Sequence, residues 1–348
     1  MIAAGGTAGH VLPALAVAEA LSARGVTVSF AGRRSESRLV TEAGFRLDPF
    51  RVTGIPRAVS PAALRALGTA ALAPFACLRI LRARRPDVVL GTGGYVAGPM
   101  VLAAAILRIP AALTEADAHF GLANRLAAPF ARRVFLAYPI DGLDGEKYRV
   151  VGRPLPRRSR PPEGGVDVAR RRFELPAEGP VVLVCGGSQG ARRLNEAALE
   201  AFAETGPAVL HLAGDRDYAA LAPRVSRAGY RLLPFTDDFG AALAAADLVV
   251  SRSGGTVWEI AAAGKPALLV PFPYATADHQ TKNARYFERG GGAVLVPEPE
   301  LDLRARVDEL LGDPPRLTEM GEAMRRLARP GAADAVAEEL IELASARR

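Results

Sequence analysis

His10 closes a glycine-rich turn, Gly5-Gly6-Thr7-Ala8-Gly9-His10, which follows the short apolar run Ile2 to Ala4 and opens a helix-like segment. An imidazole with an ordinary pKa near 6.5 can take a proton at neutral pH, so a histidine at the mouth of such a turn suits general-base work. A second turn of the same design, Gly186-Gly187-Ser188-Gln189-Gly190-Ala191, comes half a chain later, after Val181 to Cys185. Glycine lets backbone approach a ligand closely, and free N–H groups at a helix start attract anionic oxygens. One such turn can reflect close strand–helix packing alone. Two, opening successive halves of similar size, imply a duplicated architecture in which two different chemistries face one cleft.

Two further turns extend the pattern. Gly91-Thr92-Gly93-Gly94-Tyr95-Val96-Ala97-Gly98-Pro99 precedes a helix in the first half, and Ser251-Arg252-Ser253-Gly254-Gly255-Thr256 follows the strand Leu248–Val250 in the second. Glu259 comes one helical turn later. A carboxylate beyond a phosphate-binding turn can accept the paired hydroxyls of a ribose. The alternative is a solvated helix residue, or a first-turn charge that complements the macrodipole. Asp278-His279-Gln280 and Asn283 cluster beyond the strand Ala267–Val270, where amides could read sugar hydroxyls and Asp278 could equally cap a helix. His10 itself admits two roles, base or acceptor-positioning residue, with Glu115 the other candidate base. No carboxylate pair has magnesium-binding spacing near these turns, so neither metal nor cofactor is expected. His119, His211 and Trp258 are read as structural.

Strands and helices alternate along the chain. The first half reads Ile2–Ala4, helix His10–Arg24, Thr27–Gly32, helix Ser35–Ala43 and Phe45–Val52. An arginine-rich helical segment, Val88–Gly91, a helix after Gly98-Pro99, Ala111–Thr114, helix Gly121–Ala131 and Arg133–Ala137 follow. The second half reads Val181–Cys185, helix Leu194–Glu204, Ala208–Ala213, helix Tyr218–Ala228, Arg231–Pro234 and helix Phe239–Ala245. Leu248–Ser251, helix Val257–Ala263, Ala267–Val270, helix Gln280–Arg289, Ala293–Val296 and three closing helices complete it. Such alternation, with apolar β-branched strands, predicts two doubly wound parallel-sheet domains with right-handed crossovers and ligands beyond the carboxyl ends of the strands. The Pro-, Arg- and Gly-rich stretch Arg153–Gly165 marks the boundary. Residues 1–155 and 156–330 are the predicted domains, with 331–348 a closing helix free to return to the first.

A length of 348 residues accommodates two domains, and 49% hydrophobic with 23% charged residues describes a packed globular chain. Cys77 and Cys185 lie in separate apolar stretches and read as small core residues in a reducing compartment. The glycine turn at residue 5 leaves no signal-peptide pattern before it. Charge is uneven: residues 1–156 hold 19 basic against 10 acidic side chains, and the remainder 25 against 27. From Pro49 to Pro86 there is no acid at all, while Arg51, Arg57, Arg65, Arg79, Arg82, Arg84 and Arg85 interleave with Leu64, Leu67, Leu72, Phe75 and Leu78. The longest uncharged run, Ala66 to Leu78, is 13 residues, too short for the roughly 20 a spanning helix needs. The segment suits the surface of an anionic membrane; the competing reading is a core-facing helix with a solvated basic face. Stacking aromatics and reader motifs for nucleic acid are missing, so nucleic acid is not an expected partner.

These ordered motifs, together with Arg252-Ser253-Gly254, Glu259 and Asp278-His279-Gln280, resemble the MurG family of peptidoglycan N-acetylglucosaminyltransferases over essentially the whole chain. The resemblance implies a GT-B glycosyltransferase fold. It also implies inverting transfer of N-acetylglucosamine from UDP-GlcNAc to the muramyl 4-hydroxyl of undecaprenyl-linked lipid I, giving lipid II at the cytoplasmic face of the inner membrane. The first domain would take the acceptor, through Gly6, Gly94, Tyr95 and Gly98, and the second the UDP-sugar. On the family pattern, Ser188, Gln189 and Gly190 fall on the diphosphate side and Thr236 on uracil. Ser253, Gly254, Gly255 and Thr256 fall on the phosphates, Glu259 on the ribose, and Gln280 with Asn283 on sugar hydroxyls. Thr7, Ala8 and Gly9 match the first loop and, with Asp117 and Arg157, are implied to bind UDP-GlcNAc, while His10 matches the family's catalytic histidine. Thr114-Glu115-Ala116-Asp117 departs from the family's His-Glu-Gln-Asn, so Asp117 replaces an amide. Ala8 stands where glycine is usual, the loop after Ser253 is about one residue short, and the linker arginine falls on Pro156, beside Arg157. Other cell-wall synthesis proteins are further partners the resemblance brings into view. The runners-up are another GT-B enzyme using a UDP-sugar, such as a lipid glycosyltransferase or a UDP-GlcNAc 2-epimerase, and a sugar-nucleotide-binding scaffold. A nicotinamide oxidoreductase fits poorly, since both turns depart from Gly-x-Gly-x-x-Gly and Arg33-Arg34 stands where an acid would hold the ribose.

Overall fold

The computed structural model describes residues 1–5, 8–52, 61–187 and 191–346. The chain divides into two units, Met1–Pro156 with Pro330–Arg348, and Arg157–Arg329. In the first, β1 (Ile2–Ala3) leads through α1 (Ala8–Ala23), β2 (Ser29–Gly32), α2 (Ser37–Glu42) and β3 (Arg46–Pro49) to the long α3 (Pro61–Arg84). Then come β4 (Val89–Gly91), α4 (Gly94–Ile106), β5 (Ala111–Glu115), α5 (Leu122–Ala127), β6 (Arg133–Leu136) and β7 (Tyr148–Val150). The described strands form one parallel sheet, ordered β3-β2-β1-β4-β5-β6-β7, in which Ile2 lies level with Phe30 on one side and Leu90 on the other.

The second unit runs α6 (Gly165–Arg172), β8 (Val181–Cys185), α7 (Arg192–Phe202), β9 (Ala208–Leu212), α8 (Asp215–Leu221), β10 (Tyr230–Leu233) and α9 (Phe239–Ala245). It continues with β11 (Leu248–Ser251), α10 (Thr256–Ala262), β12 (Ala267–Leu269), α11 (His279–Arg289), β13 (Ala293–Leu295), α12 (Leu303–Leu311) and α13 (Pro314–Leu327). Its strands pair in parallel as β10-β9-β8-β11-β12-β13, with Ser251 level with Cys185 and Leu269. The last helix, α14 (Ala332–Ser345), belongs to the first unit and packs on α1.

Helices cover both faces of each sheet, which is why central strands such as Val-Val-Leu-Val-Cys in β8 are buried throughout. In the first unit, Ala73, Cys77 and Leu81 of α3 and Met100, Val101 and Ala104 of α4 fill one face. Val11, Leu15, Ala18 and Leu21 of α1 fill the other, with Val336 and Leu340 of α14. In α7, Leu194, Ala198, Leu199 and Phe202 form the buried stripe expected at helical period, against Val209 and Val250.

Some elements differ from the sequence reading. The helix expected over 218–228 is α8 alone, because Pro223 turns the chain into a tight helical turn over Ala222–Arg224. The strand expected over 45–52 shrinks to Arg46–Pro49, since proline lacks the ladder donor. β7 and α6 were not expected at all. β7 is half-buried along its length, so it carries no apolar run. α6 buries Ala169 together with Arg170, whose guanidinium reaches the Asp247 carboxylate at 2.8 Å and the Ala177 carbonyl at 2.8 Å.

Candidate functional site

Each sheet reverses its strand order once, between β1 and β4 in the first unit and between β8 and β11 in the second. Such switch points open a crevice beyond the carboxyl ends of the strands. All four glycine-rich turns leave these four strands.

In the first unit, the turns after β1 and β4 lie in contact. Gly93 and Gly94 have φ of 88° and 66°, values glycine adopts without strain. A Cβ on Gly94 would come within 3.0 Å of the Gly5 carbonyl, and one on Gly93 within 3.2 Å of the His10 ring. Gly6 and Thr7 lie outside the described residues, as does the side chain of Ala8. Gly9 and His10 stand in the first turn of α1. A pocket of about 330 Å³, open mouth included, is lined by Gly9, His10, Thr92, Glu115, Ala116 and Arg153 among others. Burial and the nearby Arg153 guanidinium hold the His10 imidazole below its usual pKa, against the opposing pull of Asp117, which favours the neutral ring a base must have.

Glu115, buried at the end of β5, is saturated. One oxygen accepts from the Ala116 and Asp117 amides at 2.9 and 3.3 Å, the other from the Gly121 amide and Asn124 Nδ2, both at 2.9 Å. These contacts use the roughly four acceptor sites of a carboxylate, so Glu115 shapes the loop into α5. Burial nevertheless raises its pKa, the donors working against that shift. Tyr95 is 53% exposed at the start of α4, and Gly98 faces open space within that helix.

In the second unit, a pocket of about 550 Å³, open mouth included, is lined by Gly187, Gly214, Phe235, Thr236, Thr256 and Glu259 among others. Ser188, Gln189 and Gly190 lie outside the described residues. Thr236 accepts a hydrogen bond from the Asp238 amide at 3.1 Å, and Asp238 caps α9 through the Ala241 amide. Sequence reasoning missed Phe235, Phe239 and Leu212 in this lining; the Asp238 cap just beyond Phe235-Thr236 is the signal that a turn stands there.

Glu259 is buried, at 7% exposure, and accepts a hydrogen bond from the Ser159 hydroxyl. The reading of Glu259 as a solvated helix residue is therefore overturned. Gly254 and Gly255 form the turn into α10, which Thr256 begins. Ser253 is fully buried, and its hydroxyl has no hydrogen-bond partner among the described residues. Asn283 is also fully buried and donates from Nδ2 to the Ser253 carbonyl at 3.0 Å, so it stands beneath this turn. Gln280 accepts from the Phe272 amide at 2.9 Å. Asp278 occupies the cap position of α11 without bonding a helix amide; its carboxylate accepts from the Thr281 hydroxyl at 2.6 Å, while Ala277 and Asp278 adopt φ of 53° and 52°. The simple N-cap reading of Asp278 fails accordingly. Arg157, just past the boundary, is exposed.

Cys77 and Cys185 are buried free thiols, each pushed up to about 12 by burial, and thus inert core groups. His211 is fully buried between Tyr230 Oη at 2.7 Å and Asn195 Oδ1 at 3.0 Å, and Trp258 packs edge-on to Phe287.

On α3, Leu72 and Phe75 are 67% and 68% exposed, whereas Leu78 packs partly against the core. The side chains of Leu64, Arg65 and Leu67 lie outside the described residues, as does Arg57. Arg84 does not join the free basic face: its guanidinium binds both Asp48 oxygens, at 2.7 and 2.6 Å.

Residues 1–136 match the glycosyltransferase family 28 N-terminal domain, and residues 181–337 the glycosyltransferase family 28 C-terminal domain. The UDP-N-acetylglucosamine–N-acetylmuramyl-(pentapeptide) pyrophosphoryl-undecaprenol N-acetylglucosamine transferase of Halorhodospira halophila is 44% identical, over 97% of this chain and 96% of its own. Among solved structures, MurG of Acinetobacter baumannii is 30% identical with a TM-score of 0.78, covering 98% of both chains. UDP-GlcNAc 2-epimerase of Neisseria meningitidis aligns over 96% of both chains with a TM-score of 0.65, but at 15% identity that likeness concerns the fold alone. Two parallel-sheet α/β domains of GT-B type, both family 28 domains and near-full-length identity to named relatives agree: the chain belongs to glycosyltransferase family 28 and, within it, to the MurG family of N-acetylglucosaminyltransferases.

Proposed function

We propose that this enzyme transfers N-acetylglucosamine from UDP-GlcNAc to the C4 hydroxyl of the N-acetylmuramyl group of undecaprenyl-pyrophosphate-linked lipid I, with inversion, giving lipid II. The observation that carries this reading is 44% identity across 97% of the chain to a transferase named for that reaction. The second unit takes the donor: the Phe235–Thr236 wall receives uracil, Glu259 the ribose hydroxyls, and the turn amides of Gly254, Gly255 and Thr256 the diphosphate. Ser188, Gln189 and Gly190 add the second diphosphate lip, and Gln280 with Arg157 lies toward the sugar. Asn283 supports the turn from below. The first unit takes the acceptor, its pyrophosphate against the turns that hold Gly6 and Gly94, Tyr95 and Gly98, while Thr7, Ala8, Gly9 and Asp117 are assigned to UDP-GlcNAc.

In the transfer, the muramyl O4 attacks the anomeric carbon as the bond from that carbon to the diphosphate oxygen breaks, and the electron pair leaves with UDP. His10 accepts the hydroxyl proton. Main-chain N–H groups neutralise the departing diphosphate. His10 is assigned the base because its ring is held neutral, whereas the oxygens of Glu115 are fully engaged.

We further propose that the enzyme works at an anionic membrane surface. No helix among the described residues is long and apolar enough to cross a bilayer. The exposed Leu72 and Phe75, with exposed Arg79, Arg82 and Arg85 following on the same segment, support peripheral contact; Ile106 on α4 and Leu122 and Leu126 on α5 add exposed apolar side chains on neighbouring helices.

The test is transfer from radiolabelled UDP-GlcNAc. With lipid I present, label should enter lipid and UDP should appear in equal amount; with UDP-GlcNAc alone, neither UDP nor UDP-N-acetylmannosamine should form. Production of the latter would establish an epimerase instead.

A further inference from the structure

Arg153 has no part in the chemistry above, yet it is a buried cation at the pocket that holds His10. It follows β7 in the sequence Gly152-Arg153-Pro154, and a residue before proline is kept extended, out of any helix. Its side chain is only 8% exposed overall. The guanidinium donates to the Gly9 carbonyl, immediately before His10, and to the Ala116 carbonyl at 3.3 Å, immediately after Glu115. One side chain thus joins three segments: the first turn of α1, the loop that Glu115 closes and the exit from β7. These contacts span 144 and 37 residues of sequence.

We propose that Arg153 is a positioning residue of the acceptor half-site, fixing the turn that carries His10 against the Glu115 loop and keeping a positive charge beside the imidazole. This rests on the reading of His10 as the base. Two effects follow from one group. The planar fork of arginine suits two carbonyls at once, and an ammonium would not reproduce it. The fixed charge favours the neutral ring, as the lowered pKa of His10 agrees; Asp117 opposes it, and the Glu115 carboxylate lines the same pocket.

The experiment uses Arg153→Met, which keeps length and removes charge, and Arg153→Lys, which keeps charge and removes the fork. His10 is titrated directly by NMR in each full-length variant, and transfer kinetics are followed against pH. In Arg153→Met the His10 midpoint and the acid limb of kcat/KM should both move to higher pH, and kcat should fall on the order of 10- to 100-fold, the scale of a sub-ångström to ångström misplacement. Arg153→Lys should restore the pH profile while kcat stays low. UDP affinity, read by calorimetry, should match the parent in both, and parental amide dispersion in the NMR spectrum together with a parental urea midpoint certifies that the first unit is folded. An unmoved His10 midpoint with unchanged kcat in Arg153→Met overturns the proposal, and so does full rescue of kcat by lysine. Should Arg153→Met fail to fold, Arg153→Lys alone decides: parental kcat refutes the positioning role. If His10→Ala remains active, the base assignment fails on its own, while the NMR midpoint still tests Arg153.

Discussion

Replacing Glu259 tests the proposed donor half of the site. Its carboxylate is buried and already receives the Ser159 hydroxyl. A carboxylate accepts about four hydrogen bonds, so the Ser159 contact and two ribose hydroxyls are compatible. A hydrogen bond to a charged group contributes about 1.5–3 kcal/mol, and 1.4 kcal/mol is a tenfold change in affinity. Glu259→Ala should therefore weaken UDP by roughly 10- to 100-fold. Glu259→Gln keeps one neutral acceptor and should fall between the two, since neutral bonds contribute about 0.5–1.5 kcal/mol. The alanine variant also strands the buried Ser159 hydroxyl, but in free and bound protein alike. That cost appears in urea unfolding and cancels from the dissociation constant. Calorimetry with UDP and with UDP-GlcNAc should show equal losses for both ligands, because the ribose is common to them. UDP affinity within twofold of the parent in Glu259→Ala would refute the ribose assignment, and a loss confined to UDP-GlcNAc would move Glu259 to the sugar.

His10→Ala should lower turnover by roughly 10²–10⁴ while UDP binding in calorimetry is unchanged, and near-parental turnover would remove His10 as the base. Binding to vesicles should require anionic lipid and fall with salt, and Arg79→Gln, Arg82→Gln and Arg85→Gln together should release the protein, each arginine being worth about 1 kcal/mol; equal sedimentation with neutral and anionic vesicles would sink the membrane reading. Burial lowers the pKa of His211 from 6.5 to about 4, so below pH 6.5 the unfolded chain takes up a proton that the folded chain refuses. Stability is thus lost as pH falls from about 6.5 to about 4, by about 3 kcal/mol at most, and His211→Gln should flatten that part of the pH dependence in urea unfolding; parallel curves for parent and variant would show otherwise.

The parallel sheets and their switch points could be read from sequence because the signals are local. Glycine-rich turns follow apolar β-branched runs such as Val181–Cys185, and helix periodicity in α7 falls where Leu194, Leu199 and Phe202 are buried. What escaped was set by distant contact. Ser159 meets Glu259 across 100 residues, and nothing in Arg157-Arg158-Ser159 announces a partner. Arg84 looked like one more free arginine, and only the pairing of β3 with β2 shows Asp48 placed to receive it. β7 and α6 were invisible for a related reason: an edge strand and a short charged helix borrow their order from neighbours rather than from their own apolar residues.

The placement of α14 in the first unit has a consequence for biosynthesis. Arg24, just past α1, binds Asp334 and Glu338, Arg133 binds Glu339, and Val336 and Leu340 complete the core beneath α1. A ribosome delivers these residues only after all of the second unit has been made. The amino-terminal unit must therefore wait, with the apolar side of α1 uncovered, while the later-made unit can finish folding before it. Arrival of α14, not synthesis of the first half, seals the first unit, and a chain cut after residue 330 would hold the whole second unit while leaving the apolar side of α1 open.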